Sequence, residues 1–273
     1  MNEFEYIRAN SVAEAAKALS ANGDAILIAG GHTLIPTLKQ RLNRPSVVVD
    51  ISGVAELKGI RRDGSNLVIG AGTLHREIAE SSEVKAAIPA LAAMAEGVGD
   101  PQVRNRGTIG GSVANNDPAA DYPAAVLGLG ATVVTNKREI AADSFFQGLF
   151  TTALQPGEII TSLRFPVPNK ACYVKFDQRA SRFCLVSVFV SQKAGGMFSS
   201  GEVRVAVSGA GQGGVFRSPE LEQVLKTNFA PEAVTNVRIS AANLLSDMHG
   251  SADYRASLIP VMAERAVAKA VAA

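Results

Sequence analysis

The sequence predicts an α+β protein with two domains, and three observations support this. The chain has 273 residues, of which 47% are hydrophobic, so it is long enough for two domains that each bury a core. Short strand and helix patterns alternate in the first part, whereas the last third has a run of strands and then a run of helices. Pro166, Val167, Pro168 and Asn169 form a predicted linker. We therefore predict domains over 1–168 and 169–273, the first with subdomains of about 1–53 and 54–168.

The first domain is predicted to contain short elements bounded by caps and turns. Ser11 and Glu14 have capping-box spacing, which predicts a helix after Ser11. Periodicity and turn residues predict the elements that follow. They are a buried strand over 25–29, a helix over 36–41, strands over 47–51 and 67–69, a helix capped by Thr73, a helix over 89–96, and strands over 131–135 and 159–165. From Asp100 the chain is rich in Gly, Asn, Asp and Pro, which predicts a long functional loop.

The second domain is predicted to contain strands over 172–176, 185–191 and 203–208, and then helices over 219–226, 231–245 and 253–271. Cys172 and Cys184 lie in strand-like apolar runs without CxxC spacing, so we expect buried, reduced thiols. Two thiols are too few for an iron–sulfur cluster, and His32, His75 and His249 lack a metal-ligand pattern. The sequence therefore predicts no metal site in this chain.

Composition argues against two classes of partner. The net charge is +2 and the basic residues are scattered, so we expect neither nucleic-acid binding nor a polybasic membrane patch. No apolar run reaches the roughly 18 residues that span a bilayer, and the N-terminal residues are polar. We predict a cytoplasmic protein without a membrane span.

The first candidate site is Ala29-Gly30-Gly31-His32-Thr33, where a predicted strand ends and a helix begins. Paired glycines let the backbone turn sharply and bring its N–H groups close to an anion, and the N-terminus of the next helix adds free donors. The Thr33 hydroxyl is a further donor. On its own, this pentapeptide is also explained by a simple turn.

The second candidate site, Thr108-Ile109-Gly110-Gly111-Ser112, repeats the pattern of two glycines flanked by hydroxyl residues. Two such pairs in different subdomains predict a grip on the two phosphates of a dinucleotide from opposite sides. Four polar residues nearby suit ribityl hydroxyls, although solvated loop residues or helix caps explain them as well. They are Asn115, Asn116, Asp117 and Asp121.

Two stretches carry a family resemblance: AGGHTLIPTLKQRLNRPSVVVDISGVAELKGI over 29–60 and VGDPQVRNRGTIGGSVANNDPAADYPA over 98–124. They resemble the FAD-binding subunits of molybdenum hydroxylases, a family that includes carbon monoxide dehydrogenase medium chains and the flavin domain of xanthine dehydrogenases. The resemblance covers nearly the whole chain. It implies FAD as cofactor and a two-lobed FAD-binding fold of the vanillyl-alcohol oxidase (PCMH) type, followed by a smaller α+β C-terminal domain.

The resemblance also implies roles for individual residues. The two glycine motifs would hold the pyrophosphate, and Asp121 would bind the ribityl side. Val98 would lie in a loop along the flavin and Ile159 or Ile160 near the adenine or the ring edge. Lys175 and Phe183 would lie near the isoalloxazine. No catalytic residue is implied in this chain, because FAD supplies the redox chemistry.

The resemblance further implies partner subunits. A molybdopterin-binding large subunit would oxidise the substrate, a small subunit with 2Fe–2S clusters would pass the electrons on, and FAD in this chain would deliver them to an external acceptor. The complex is expected to be a dimer of heterotrimers. The sequence names neither the substrate nor the acceptor, which is NAD, a quinone or oxygen. Two alternatives stay open: a self-sufficient flavin oxidase or reductase on the same fold, and a non-catalytic assembly module.

Two features need separate interpretation. Arg182 precedes Phe183 where relatives commonly carry an acidic residue, and a cation there is expected to raise the flavin potential. Gly209 to Gly214 satisfies GxGxxG after a predicted strand, but Val-Phe-Arg-Ser-Pro follows and does not begin a helix. A glycine-rich turn is therefore favoured over a nicotinamide site.

Overall fold

The computed structural model describes residues 1–195 and 201–272, and its strands form three sheets and one hairpin. The first sheet is parallel, in the order Glu5–Arg8, Val47–Asp50, Ile26–Ile28. The second is antiparallel, in the order Ile60–Asp63, Asn66–Gly70, Ile160–Pro166, Thr132–Thr135, Glu139–Ala141. The third is antiparallel, in the order Lys170–Asp177, Cys184–Lys193, Glu202–Ser208, Phe216–Arg217. The hairpin pairs Phe146–Gly148 with Thr151–Thr152.

In chain order, most helices fall between the strands that form the first two sheets. The α-helices of the described residues are Val12–Ala21, Leu34–Lys39, His75–Glu80, Ser82–Ala87, Pro89–Glu96, Pro101–Arg104, Ile109–Asn115, Tyr122–Gly128, Ala142–Phe145, Pro219–Thr227 and Ala252–Ala272, and 3-10 turns cover Ala55–Leu57 and Pro231–Ala233. Mixed strands and helices confirm the predicted α+β class.

The predicted capping box at the first helix is half formed. The Glu14 backbone N–H donates to Ser11 Oγ at 3.1 Å, as expected for an N-cap serine. The Glu14 carboxylate, however, accepts from the backbone N–H of Asn10 at 2.8 Å and not from that of Ser11. The helix therefore begins where predicted, with one reciprocal bond displaced by a residue.

Three predictions in the first domain need correction. The strand Ile26–Ile28 is half-buried and not buried, because it is the edge of the parallel sheet. The helix predicted to be capped by Thr73 begins at His75, and Thr73 Oγ1 instead accepts from the Gly59 backbone N–H at 3.2 Å. The predicted loop after Asp100 contains short helices, because Asp100 and Thr108 each cap one with a side-chain oxygen.

The prediction of a helix over 231–245 is wrong. Only Pro231–Ala233 forms a 3-10 turn, and the rest is irregular. Seven of its fifteen residues are Val, Thr, Ile, Ser or Asn, which have modest helix propensity. Its end pairs instead with the glycine-rich turn, since the Leu245 N–H donates to the Ala210 carbonyl at 2.8 Å. The other two helices of this region and its three strands are confirmed to within a few residues.

Hydrophobic cores hold the sheets against the helices. The largest core lies under the five-stranded sheet, and it continues into the third sheet through Phe189 and Ala206, which pack near the helix Tyr122–Gly128. A second core lies between the third sheet and the helix Ala252–Ala272. The chain changes sheet between Pro166 and Lys170, while the division into domains at 168 stays a prediction.

The two cysteines lie in different surroundings. Cys184 is buried, whereas Cys172 is only half-buried, and both thiols are free. Burial raises the pKa of the Cys184 thiol to about 12, so this thiol is inert near neutral pH. Within the described ranges, the helices are all too short or too polar to cross a membrane.

Candidate functional site

The predicted site residues converge on one cavity of 1490 Å³. This volume exceeds the roughly 300–1,000 Å³ of ordinary small-molecule pockets and suits an extended ligand. Of the residues to which the family resemblance gives a role, only Ile109 and Lys175 do not line it. Those that do are Ala29, Gly30, Gly31, His32, Thr33, Val98, Thr108, Gly110, Gly111, Ser112, Asp121, Ile159, Ile160 and Phe183.

The first glycine motif presents a row of unpaired backbone donors. In the described part of the chain, the N–H groups of Gly30, Gly31, His32 and Thr33 have no hydrogen-bond acceptor. Gly31 has a φ of +73°, a left-handed conformation that glycine adopts without strain. Successive N–H groups around such a residue form a concave nest for an anion. The motif therefore offers a phosphate-binding surface made of backbone alone.

The two glycine motifs approach each other closely. A methyl group added at Gly30 would stand 2.1 Å from the Arg106 carbonyl oxygen and 2.8 Å from Gly107 Cα. Only glycine fits there, because any side chain would push the two loops apart. The first motif therefore lies against the two residues that directly precede the second motif, although the two are distant in sequence.

The second glycine motif differs from its prediction. The N–H of Ile109 donates to the Thr73 carbonyl at 3.1 Å, that of Gly110 to the Ala71 carbonyl at 2.8 Å, and that of Gly111 to Thr108 Oγ1 at 3.1 Å. The expected free donors are therefore occupied, because the strand end at 71–73 and the threonine cap use them. Gly111 and Ser112 line the cavity, while Ile109 is buried in the core.

Gly110 has a packing role in the same motif. A methyl group on Gly110 would lie 2.5 Å from Ala71 Cβ, so this glycine lets the helix Ile109–Asn115 pack directly on the end of the strand Asn66–Gly70. Close packing at Gly110 holds Gly111 at the cavity wall.

Asp121 is a buried carboxylate in the cavity wall with two partners behind it. The Tyr173 hydroxyl donates to Asp121 Oδ1, and Lys175 Nζ lies 3.1 Å from the same oxygen. Burial raises the pKa of Asp121, and the Lys175 ammonium and the Tyr173 hydroxyl oppose that rise. These two contacts hold the Asp121 carboxyl in place at this wall.

Lys175 uses all its donors within the protein. Besides Asp121, its ammonium donates to the Gly97 carbonyl at 3.1 Å and to the Arg182 carbonyl at 3.2 Å. Lys175 therefore joins two loops whose residues Val98 and Arg182 line the cavity, while it does not line the cavity itself. Direct contact between Lys175 and a ligand stays a prediction, and the observed contacts support an indirect role.

Of the other polar candidates, Asn115 and Asp117 line the cavity. Asn116 does not, because its amide is directed into the protein, where Nδ2 donates to the Gly148 carbonyl at 2.7 Å and the Thr151 carbonyl at 2.9 Å. Of the explanations that the sequence left open for Asn116, the structure favours a residue at a helix end over a ribityl contact.

Sequence reasoning missed three ring-bearing residues in the cavity wall: His75, Tyr122 and Phe150. Burial lowers the pKa of His75 to about 4, so its imidazole is neutral at physiological pH. The His75 and Tyr122 rings pack with centroids 5.0 Å apart. None of the three belongs to a glycine motif, and although Tyr122 lies in the stretch 98–124, no pattern assigned any of them a role at the site.

The GxGxxG segment forms a turn, as predicted. After the strand Glu202–Ser208, residues 209–215 turn into the short strand Phe216–Arg217, and no helix begins there. None of its glycines lines the cavity. The structural context of a nicotinamide fingerprint is absent from this described segment.

A large cavity between two glycine loops, with a backbone anion nest on one side, defines a dinucleotide-binding protein. Comparison with known proteins identifies which kind. Residues 2–168 match the family described as the FAD binding domain in molybdopterin dehydrogenase, and the chain belongs to this family.

Relatives match over almost the entire chain. The carbon monoxide dehydrogenase medium chain of Hydrogenophaga pseudoflava is 34% identical, over 97% of this chain and 96% of its own length. The nicotine 6-hydroxylase medium subunit of Paenarthrobacter nicotinovorans is 35% identical, over 98% and 97%. The solved structure of reconstituted CO dehydrogenase from Oligotropha carboxidovorans matches with a TM-score of 0.90 and 32% identity, covering 99% of this chain and 98% of that one.

These matches confirm the predicted family, the α+β fold and FAD as the cofactor. The relatives are oxidoreductase subunits, and their names describe them as medium chains or subunits of larger enzymes.

Proposed function

We propose that this chain is the electron-transfer subunit of a molybdenum hydroxylase. It would hold FAD between its glycine motifs and connect the 2Fe–2S clusters of a small subunit to an external acceptor. Substrate oxidation would take place on a molybdopterin-binding large subunit, and the complex would be a dimer of heterotrimers. The names of the medium-chain relatives support this assignment.

The observation that carries the proposal is the row of free N–H groups over Gly30–Thr33 at the cavity wall. Four adjacent donors without acceptors suit the negative charge of a pyrophosphate. Gly111 and Ser112 of the second motif line the cavity, and Gly30 closely approaches Arg106 and Gly107, which come just before that motif. The motifs are therefore unequal: the first supplies backbone donors, and the second supplies a close wall and a hydroxyl.

The other residues would act on the remaining parts of FAD. Asp121 provides a fixed acceptor for ribityl hydroxyls, and Lys175 and Tyr173 hold it in place. Val98, Phe183 and either Ile159 or Ile160 provide apolar surface for the rings. When bound, FAD accepts and releases electrons, and the chain supplies its orientation and its electrostatic surroundings.

The role as a relay is tested with the FAD-loaded chain and with the complex under anaerobic conditions. In the complex, substrate of the large subunit should bleach the visible flavin band, whereas the isolated chain should stay oxidised with the same substrate or with NADPH. Bleaching of the isolated chain would instead support a self-sufficient oxidase or reductase. A folded chain that binds no FAD would support the assembly-module alternative.

A further inference from the structure

The turn Gly148–Thr151 presents an aromatic ring at the cavity in a strained backbone. Phe150 has a φ of +54°, in the left-handed region that bulky residues rarely adopt. Its side chain is 61% exposed and lines the cavity. A turn that only connected the hairpin strands would be better made with glycine at this position.

Asn116 holds this turn in place. The side-chain amide of Asn116 donates to the backbone carbonyls of Gly148 and Thr151. The backbone carbonyl of Asn116 accepts from the Phe150 N–H at 3.1 Å. Asn116 is itself left-handed, with a φ of +45°, and is 1% exposed. The strained turn is therefore fixed by a buried residue that ends the helix of the second glycine motif.

A related arrangement occurs at two other places around the cavity. Arg41 and Arg182 also have positive φ, of 60° and 59°, and each precedes an exposed apolar side chain that lines the cavity. These side chains are Leu42, 74% exposed, and Phe183, 54% exposed. Backbone strain concentrated around one cavity indicates a functional requirement, because surrounding structure must maintain it.

We propose that Phe150 is a contact residue for a planar ring of FAD and that Asn116 is its positioning residue. This inference rests on the proposed function. The helix Ile109–Asn115 runs from the glycine pair to Asn116, a length of about 10 Å at the rise of an α-helix. Phosphates bound near the glycine end would leave the rings of an extended dinucleotide further along the cavity, where Phe150 lies.

The test compares Phe150→Gly, Phe150→Tyr and the control Leu149→Ala. Leu149 belongs to the same turn and is 39% exposed, but it does not line the cavity. Glycine relieves the left-handed strain and removes the ring, so the FAD-free Phe150→Gly chain should unfold at a temperature about 2–4 °C higher. Its Kd for FAD should rise about tenfold, as expected for the loss of one stacking contact. Leu149→Ala should bind FAD as the parent does, and Phe150→Tyr, which keeps an aromatic ring, should bind FAD more tightly than Phe150→Gly.

The visible spectrum distinguishes the two rings. If Phe150 contacts the flavin, Phe150→Gly should also shift the visible absorption band and change the fluorescence of bound FAD. Weaker binding with an unchanged spectrum would assign the contact to the adenine. An unchanged Kd for Phe150→Gly would overturn the inference. A parent chain that binds no FAD would overturn the proposed function as well.

Discussion

Replacing Lys175 with methionine would leave the buried Asp121 carboxylate without its cation. Asp121 and Lys175 have 8% and 12% of their side-chain surface exposed, so water replaces little of the lost interaction. Removing one partner of a buried ion pair costs about 3–5 kcal/mol. The Tyr173 hydroxyl still donates to Asp121, which favours the lower figure of about 3 kcal/mol. At about 2–4 °C per kcal/mol for a chain of this size, the unfolding temperature should fall by about 6–12 °C.

Thermal unfolding followed by circular dichroism measures this change. Lys170→Met is the matched control, because Lys170 lies on the same strand and has no ion pair within the described residues. It should change the unfolding temperature by less than about 2 °C. Asp121→Asn combined with Lys175→Met restores a neutral pair, so the double variant should be more stable than additivity predicts, by about 1.5–3 kcal/mol. Additive effects, or a change in Lys175→Met no larger than in Lys170→Met, would refute the structural role of the pair.

Three further predictions address the glycine loops, acid stability and the flavin potential. Gly30→Ala should weaken FAD binding about tenfold or more. The control Gly23→Ala should bind FAD normally, because a methyl group added there meets nothing within 4 Å. Equal affinities of the two variants in an FAD titration would count against the close approach at Gly30. Arg138 lowers the pKa of Glu158 from its ordinary value of 4.5 to about 2, so the unfolded chain binds the proton first and stability falls as pH drops through this window. Unfolding temperatures between pH 4.5 and 2 should therefore depend less on pH in Glu158→Gln, and parallel curves would contradict this. Arg182→Asp should lower the midpoint potential of bound FAD in a redox titration, because Arg182 lines the cavity, and an unshifted potential would remove this effect.

Local signals in the sequence predicted much of the fold. The helix Pro89–Glu96 has proline in its first turn, and the strand Cys184–Lys193 is rich in Val, Leu and Phe, so each was recognisable from its own residues. The prediction for 231–245 failed because the structure of this segment depends on pairing with a distant turn at Ala210. Tertiary contact overrides weak propensity in such segments.

The candidate site, too, was predictable from the sequence only in part. The two glycine motifs were visible as motifs, and the structure brings both to one cavity. Which motif keeps its N–H groups free was not visible, since the acceptors for the second motif are carbonyls of Ala71 and Thr73. The strain at Phe150 depends on hydrogen bonds to Asn116 from more than thirty residues away, a distance over which sequence patterns carry no signal.

The most direct test of the central claim is the visible absorption spectrum of the purified chain before and after addition of FAD, with the cofactor identified after denaturation. We expect flavin bands and about one FAD released per chain. A folded chain that is colourless and takes up no added FAD would contradict the account.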